Sequence, residues 1–431
     1  MTALQPSVSR RNFLGGALVG GGAALMPRIA FAAPDAALMY PHVAAMAASY
    51  VDSGKLPGVV ALIGVGDSQS EIMRGVQTLG DPRPATIDSL YRAYSMTKPI
   101  TGMIAMMLID EGKLGLDQPI STILPKFATM QVQVTPDGPL SDVRPAKTPI
   151  TVRHLLTHTS GLGYSIIQKG PIKDAYEAAG LVPAEVSKSA IPGLTVKRKL
   201  PSLAAFADAL AEMPLVYEPG TAWSYSVSLD LLGRVIEVVA GKPFDQVMAE
   251  RIFGPCGMTS SGFMVAPANA ARLTSNYGVA DNKLSLIDPA ATSVYLDPPA
   301  YPFGGAGLVT SPRDYDRFLQ MLLGYGMLGT TRVMSEHAVR LGTSDLLPTA
   351  LLGVKVFGRV SGFGAGGRVG VDQDAGTFGW SGAAGTVGFV SYRAGLRAGL
   401  WVQYMPSSAL QIQEEFPLAI RADLRHEKLA A

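Results

Sequence analysis

Apolar positions recur at helical spacing over residues 39–53, and the pattern predicts a helix there. Gly58–Val65 is a β-branched, apolar run ending in glycine, and reads as a strand. Residues 70–76 suggest a second strand and residues 89–94 a third, short one. Residues 96–108 are apolar on nearly every face, the pattern of a fully buried helix, and Gly112 is well placed to close it. From about Leu114 to Pro298 the chain alternates helical segments with Pro- and Gly-rich loops. Helices are expected at 152–157, 203–212 and 228–240, the last with Leu231, Leu232, Val235, Ile236 and Val239 on one face and Gly241 after it. After Pro298, Ser311 before Pro312 with Asp314 in the first turn starts a helix over 313–323. Residues 386–392 and 399–404 read as adjacent strands joined by a Gly-containing turn. Strands at both ends with a helical middle imply an α/β lobe built from 36–113 and 299–431, with a mostly helical lobe, 114–298, inserted.

Composition adds a core and removes some partners. The chain has 431 residues, 48% hydrophobic and 16% charged, which is globular and more than one ordinary domain usually holds. The formal net charge is +2; three arginines and no acid lie in the first 32 residues, so the remainder carries 33 bases against 34 acids. A near-neutral body has no electrostatic footprint for nucleic acid. The first 32 residues read as a targeting segment. Ser9-Arg10-Arg11-Asn12-Phe13-Leu14 resembles the twin-arginine export signal, an apolar Gly/Ala-rich stretch follows to Met26, and Ala30-Phe31-Ala32 is an A-x-A cleavage site. The stretch is too short and Gly-rich for a good membrane span. The expectation is passage through the twin-arginine machinery, cleavage, a periplasmic or secreted mature chain over 33–431, and no lasting membrane anchor. The single cysteine, Cys256, excludes an intramolecular disulfide and sits in an apolar turn, where it serves as a small hydrophobe.

A serine hydroxyl is a weak nucleophile until a base takes its proton. A lysine three residues on along a helix lies on the same face, about 5–6 Å away at Cβ. Ser95-Met96-Thr97-Lys98 is the one Ser-x-x-Lys in the chain, follows a strand and opens the most buried helix. Pro99 suits a first helical turn, and the helix N-terminus adds N–H groups and a positive dipole end. A tyrosine in Trp223-Ser224-Tyr225-Ser226-Val227, a turn feeding the 228–240 helix, can share the proton work. Gly379-Trp380-Ser381-Gly382-Ala383 precedes an edge-strand candidate, where a backbone N–H can face an oxyanion.

These three motifs resemble those of class C serine β-lactamases, penicillin-binding DD-peptidases and family VIII carboxylesterases. The resemblance runs from about Val51 onward and includes 155–162, the Gly220-to-Gly241 block and Gly304-Gly305-Ala306-Gly307-Leu308. It implies an α/β (α+β) fold with an antiparallel sheet flanked by helices. It assigns the acylated nucleophile to Ser95, proton transfer to Lys98 and Tyr225, the oxyanion hole to the N–H groups of Ser95 and Ala383, and substrate contacts to Trp380, Ser381 and Gly382, without a metal or other cofactor. Two positions depart from the lactamases and peptidases: Val227 replaces the asparagine of Tyr-x-Asn, and Trp380 replaces the Lys or His before Thr-Gly. The tryptophan is similar to that of the family VIII esterases. The expectation is an exported carboxylesterase acting on small esters. A β-lactamase or D-amino-acid peptidase, an acyltransferase, and a non-catalytic cell-wall or ligand-binding module remain alternatives, the last disfavoured by an intact Ser95, Lys98 and Tyr225.

Other candidates are weaker. His154 and His158 are four apart, as in a metal pair, but Leu155 stands where His-Glu-x-x-His needs its glutamate. Gly362-x-Gly364-x-x-Gly367 fits a dinucleotide fingerprint but has no helical pattern behind it. Ser381 is a rival nucleophile in a near G-x-S-x-G setting. Tyr217 and Trp223 are candidates to line the pocket or to pack.

Overall fold

A computed structural model describes residues 36–182, 184–189, 198–281 and 283–430; the expected export signal and cleavage site fall outside them. The elements used below are α1 Pro41–Asp52, β1 Gly58–Val65, β2 Ser68–Gly75, α2 Thr97–Asp110, α3 Val152–Leu156, α4 Leu203–Ala211, α5 Ser228–Ala240, α6 Pro312–Leu323, β3 Gly362–Phe363, β4 Arg368–Val369, β5 Thr377–Ser381, β6 Val387–Ser391, β7 Leu396–Trp401 and α7 Ile412–Ala430. Seven strands form one antiparallel sheet in the order β3-β4-β5-β6-β7-β1-β2, so β1, near the start of the chain, pairs directly with β7, near its end, and β2 pairs with β1 at the edge. This is the sheet of the two chain ends that the pattern implied.

Both faces of the centre of the sheet are covered, which explains why β1 is apolar throughout. Val60 and Leu62 point to the larger core with α2, while Val59, Ala61 and Ile63 point to a second core under α1 and α7. α6 lies against β7, β6 and β1, where the buried Asp316 takes the Arg397 guanidinium at 3.0 Å. α6 starts as expected, with the Ser311 side chain accepting from the Asp314 N–H. Helix α2 is buried from Thr97 to Leu108 and packs on α5, which in turn carries α3 and α4. Cys256 is buried, and burial pushes its thiol up to about 12, which suits a packing role.

Several expectations need correction. Within the mostly helical stretch 114–298 two short strand pairs occur: Gln131–Gln133 pairs with Val143–Pro145, and Asn276–Ala280 with Lys283–Asp288. The 89–94 strand shrinks to Tyr91–Arg92, paired with Val309–Thr310 outside the large sheet. It ends there because the backbone leaves the extended region, Ala93 at helical angles (φ −74°, ψ −22°) and Tyr94 at a left-handed φ of +44°, while the buried Arg92 sends its guanidinium to Asp288, 2.8 Å from Nε, and to the Thr274 carbonyl. The last strand ends at Trp401; Tyr404–Met405 instead pairs with Asn276–Ala280. The motif strand β5 is not an edge. β4 pairs with it at Phe378 and Gly379, leaving Trp380 and Ser381 paired only to β6. Helix α7 was not foreseen, although Ile412, Phe416 and Ile420 follow helical spacing. Among the described residues, no helix is long and apolar enough to cross a membrane.

Candidate active site

The chain enters the site under backbone strain. After Arg92, Tyr94 adopts φ +44°, a left-handed conformation uncommon for a non-glycine residue. Ser95 lies in a single 3-10 turn, Tyr94–Met96, that runs into α2, placing Ser95 and Lys98 on one face. Ser95 Oγ receives hydrogen bonds from Lys98 Nζ at 3.2 Å and from the Tyr225 hydroxyl at 2.7 Å. Lys98 is fully buried; its Nζ also donates to the Gly305 carbonyl at 2.7 Å and lies 4.6 Å from the Tyr225 ring centroid. The three residues named from the sequence therefore share one oxygen.

Tyr225 is held from behind by the loop after α3. His158 has φ +56°, its carbonyl accepts from the Ser224 N–H, and its Nδ1 accepts from the Ser226 N–H at 3.2 Å. Nδ1 is therefore the unprotonated nitrogen. Burial, with the charge of Lys98 second, lowers the His158 pKa well below the usual imidazole range, so the ring is neutral. Its centroid lies 4.7 Å from that of Tyr225. His154 does not join it: its Nδ1 accepts from the Thr151 N–H in a helix cap. Neither ring has a second ligand to share with the other, and no group of three or more possible metal ligands exists among the described residues.

The β5 motif meets the triad unevenly. Trp380 donates its indole N–H to the Tyr225 hydroxyl at 3.3 Å, and its ring joins Trp223, Phe357 and Phe363 in an aromatic wall around Tyr225. Phe357 stays 62% exposed, so one side of this wall faces solvent. Ser381, one residue on, is exposed and on the opposite face of the pleat. It opens onto a groove of about 1820 Å³ between the sheet and α7 that Ser95, Lys98 and Tyr225 do not line. No base is hydrogen-bonded to it, which removes the rival nucleophile's means of activation. Gly382 contributes by lacking a side chain, since a Cβ there would sit 2.4 Å from the Ala93 carbonyl oxygen. That close approach brings Ala383 beside the Ser95 turn, and among the described residues no hydrogen bond uses the Ala383 N–H. Val227 is buried in the core at the start of α5. Gly362, Gly364 and Gly367 serve strand pairing and tight packing around β3 and β4, with Gly364 N–H bonded to the Gly367 carbonyl.

Sequence reasoning missed Gly305 and Asp230 as neighbours of Lys98. Thr101 donates to the Gly304 carbonyl at 2.7 Å, and Asp230 accepts the Gly305 N–H at 2.8 Å. The signal available was the Gly304-to-Leu308 phrase, which nothing in the sequence joins to residue 98.

The chain matches the Beta-lactamase family over residues 43–416. It is 34% identical over 355 residues to an uncharacterized protein of Mycobacterium tuberculosis, covering 78% of this chain and 82% of that one. Esterase EstB of Burkholderia gladioli is 30% identical over 367 residues, covering 79% of this chain and 84% of its own. Among solved structures, EstCE1, described as a hydrolase with promiscuous acyltransferase activity, superposes with a TM-score of 0.70 at 26% identity, over 88% of this chain and 99% of that one.

Proposed function

The chain belongs to the Beta-lactamase family and is a serine hydrolase of that fold, related to esterases and acyltransferases; from that premise we propose an exported carboxylesterase that works through a Ser95 acyl-enzyme. Ser95 Oγ attacks the ester carbonyl carbon, and its proton passes to the Lys98/Tyr225 pair. The tetrahedral oxyanion is met by the N–H groups of Ser95 and Ala383. The C–O bond to the alcohol breaks, and the alcohol leaves with the proton held by the pair. Water then repeats the sequence against the acyl-enzyme, and its proton follows the same path. The acyl-enzyme could equally pass to an added alcohol, and the relation to EstCE1 supports that secondary activity.

Trp380 carries the choice of ester over lactam. It reaches the Tyr225 hydroxyl with a neutral N–H and otherwise presents an apolar ring. A β-lactam has a carboxylate beside its reactive carbonyl, and that anion would be desolvated without a partner, at a cost of several kcal/mol. Ser381 faces away, and the buried Val227 has no amide to orient a deacylating water. A small neutral ester meets neither obstacle. Comparison of kcat/KM for short p-nitrophenyl esters with that for a chromogenic cephalosporin is expected to favour the ester by at least about two powers of ten, each power being about 1.4 kcal/mol. Trp380→Lys is expected to move the ratio toward the lactam. Equal efficiency on the cephalosporin sinks the esterase reading.

Export is supported by the order of Arg10-Arg11, apolar stretch and Ala30-Phe31-Ala32. Replacing Arg10 and Arg11 together by lysine is expected to hold the full-length chain inside the cell. Wild type is expected in the exported fraction, shortened by the signal. Unchanged distribution of the variant on cell fractionation refutes this route.

A further inference from the structure

Behind Lys98 lies a second buried ionisable group that the reaction above does not use. Asp230, in the first turn of α5, is fully buried. Its Oδ1 accepts the Gly305 N–H at 2.8 Å, while its Oδ2 has no hydrogen-bond partner. The same Gly305 offers its carbonyl to Lys98 Nζ at 2.7 Å. Carboxylate and ammonium are thus joined through one residue. That residue must be glycine, because a Cβ would lie 2.5 Å from Asp230 Oδ2. An isolated buried carboxylate is expensive to keep, so its position next to a buried lysine calls for a reason.

We propose that Asp230 is a positioning residue for Lys98: it fixes Gly305, whose carbonyl aims the lysine, and its carboxylate stabilises the ammonium ion that forms when Lys98 takes the Ser95 proton. This rests on the reading of Lys98 as proton acceptor. The logic is that of the aspartate in a Ser-His-Asp triad, which orients the base and stabilises its charged form without taking the proton itself. Here the orientation is indirect, through a backbone carbonyl, because a lysine has no second nitrogen to bind.

The groups facing Asp230 agree. Lys98 on α2 acts on it directly; Tyr164 and Tyr301 feel its charge, and Tyr225 and His158 complete the surroundings of the lysine. Burial pushes the Asp230 carboxyl up to about 6, against the pull of Lys98 and of the Gly305 N–H. Between the ordinary 3.8 and about 6 the folded chain holds a proton that the unfolded chain releases. Asp230 therefore lowers stability progressively as pH rises through that window, and its full cost is present above it.

The test uses the purified enzyme with a short p-nitrophenyl ester across pH, and the rate of Ser95 labelling by a fluorophosphonate. Asp230→Asn keeps the acceptor for Gly305 and removes the charge. It is expected to lower kcat/KM about 100-fold with little change in KM. The acid limb of its profile is expected to move to lower pH, because the ammonium loses its stabilising partner and gives up its proton more readily. Its Tm is expected to match or exceed that of wild type above the titration window and to equal it below. Gly305→Ala retains the carboxylate but displaces the carbonyl, so it is expected to lose rate without moving the acid limb. A profile for Asp230→Asn that superimposes on wild type at unchanged kcat/KM overturns the proposal and leaves Lys98 as base. Should Asp230→Asn fail to fold, Gly305→Ala decides, and a normal rate there overturns the positioning role. If Lys98→Ala itself remains active, the underlying base reading fails instead.

Discussion

Ser95→Ala is expected to fold like wild type and to form no acyl-enzyme. The first half follows from the partners that remain. Without Oγ, Lys98 keeps the Gly305 carbonyl and Tyr225 keeps the Trp380 indole N–H, so neither buried polar group is orphaned. Removing one oxygen from a half-buried site also leaves no sizeable cavity. The second half follows because, among the described residues, no other hydroxyl combines a base with exposure: Ser381 is exposed and turned from the triad, and Ser226, 3.0 Å from His158 Nδ1, is buried. Turnover of p-nitrophenyl esters is expected to fall by roughly five to six powers of ten, the scale seen when a nucleophile that works as a unit with its base is lost. Intact mass after fluorophosphonate treatment is expected to show one adduct on wild type and none on the variant, with equal Tm values. Ester hydrolysis retained in Ser95→Ala but lost in Ser381→Ala would mean that the nucleophile is misassigned.

Lys98→Arg is expected to lose about 10²–10⁴-fold in turnover despite keeping a positive charge and a donor. An amine can accept the hydroxyl proton; a guanidinium stays protonated at any working pH. Its planar fork is also larger than an ammonium, and Lys98 is fully enclosed between Ser95, the Gly305 carbonyl and the Tyr225 ring. Fluorophosphonate labelling of Ser95 should slow in parallel, because that reaction needs the same proton removed. Comparison of Tm values separates misfolding from lost chemistry, and Lys98→Met, similar in length but uncharged, supplies a second variant. Near-normal turnover in Lys98→Arg removes lysine from the mechanism.

Much of the site lies in two short stretches of chain, and those were legible. Ser95 and Lys98 are brought together by helix geometry alone, since positions three apart share a face whatever surrounds them. Tyr225 stood out through its turn and the strongly periodic helix after it. The wholly buried α2 and the start of α6 were likewise readable, because caps and apolar periodicity act within a few residues. The 89–94 strand failed for the opposite reason. Its partner is Val309–Thr310, from far along the chain, the backbone turns away at Ala93 and Tyr94, and no local pattern announces either.

The side of the pleat that Ser381 occupies depends on the register of β5 against β6, with Ser381 opposite Val387. A shift of one residue would exchange the faces of Trp380 and Ser381. The role of Gly382 depends on the Ala93 carbonyl, and the hydrogen bonds that link Lys98 to Asp230 run through Gly305, 75 positions beyond the aspartate. The sequence by itself determined that Ser95 and Lys98 share one face and that the sheet is built from both ends of the chain, because hydrogen-bonded turns and side-chain periodicity are short-range. Tertiary structure alone decided what faces the lysine, which of two neighbouring side chains meets the tyrosine, and where the Ala383 N–H lies, because burial and desolvation are set by segments that come together only when the chain has folded.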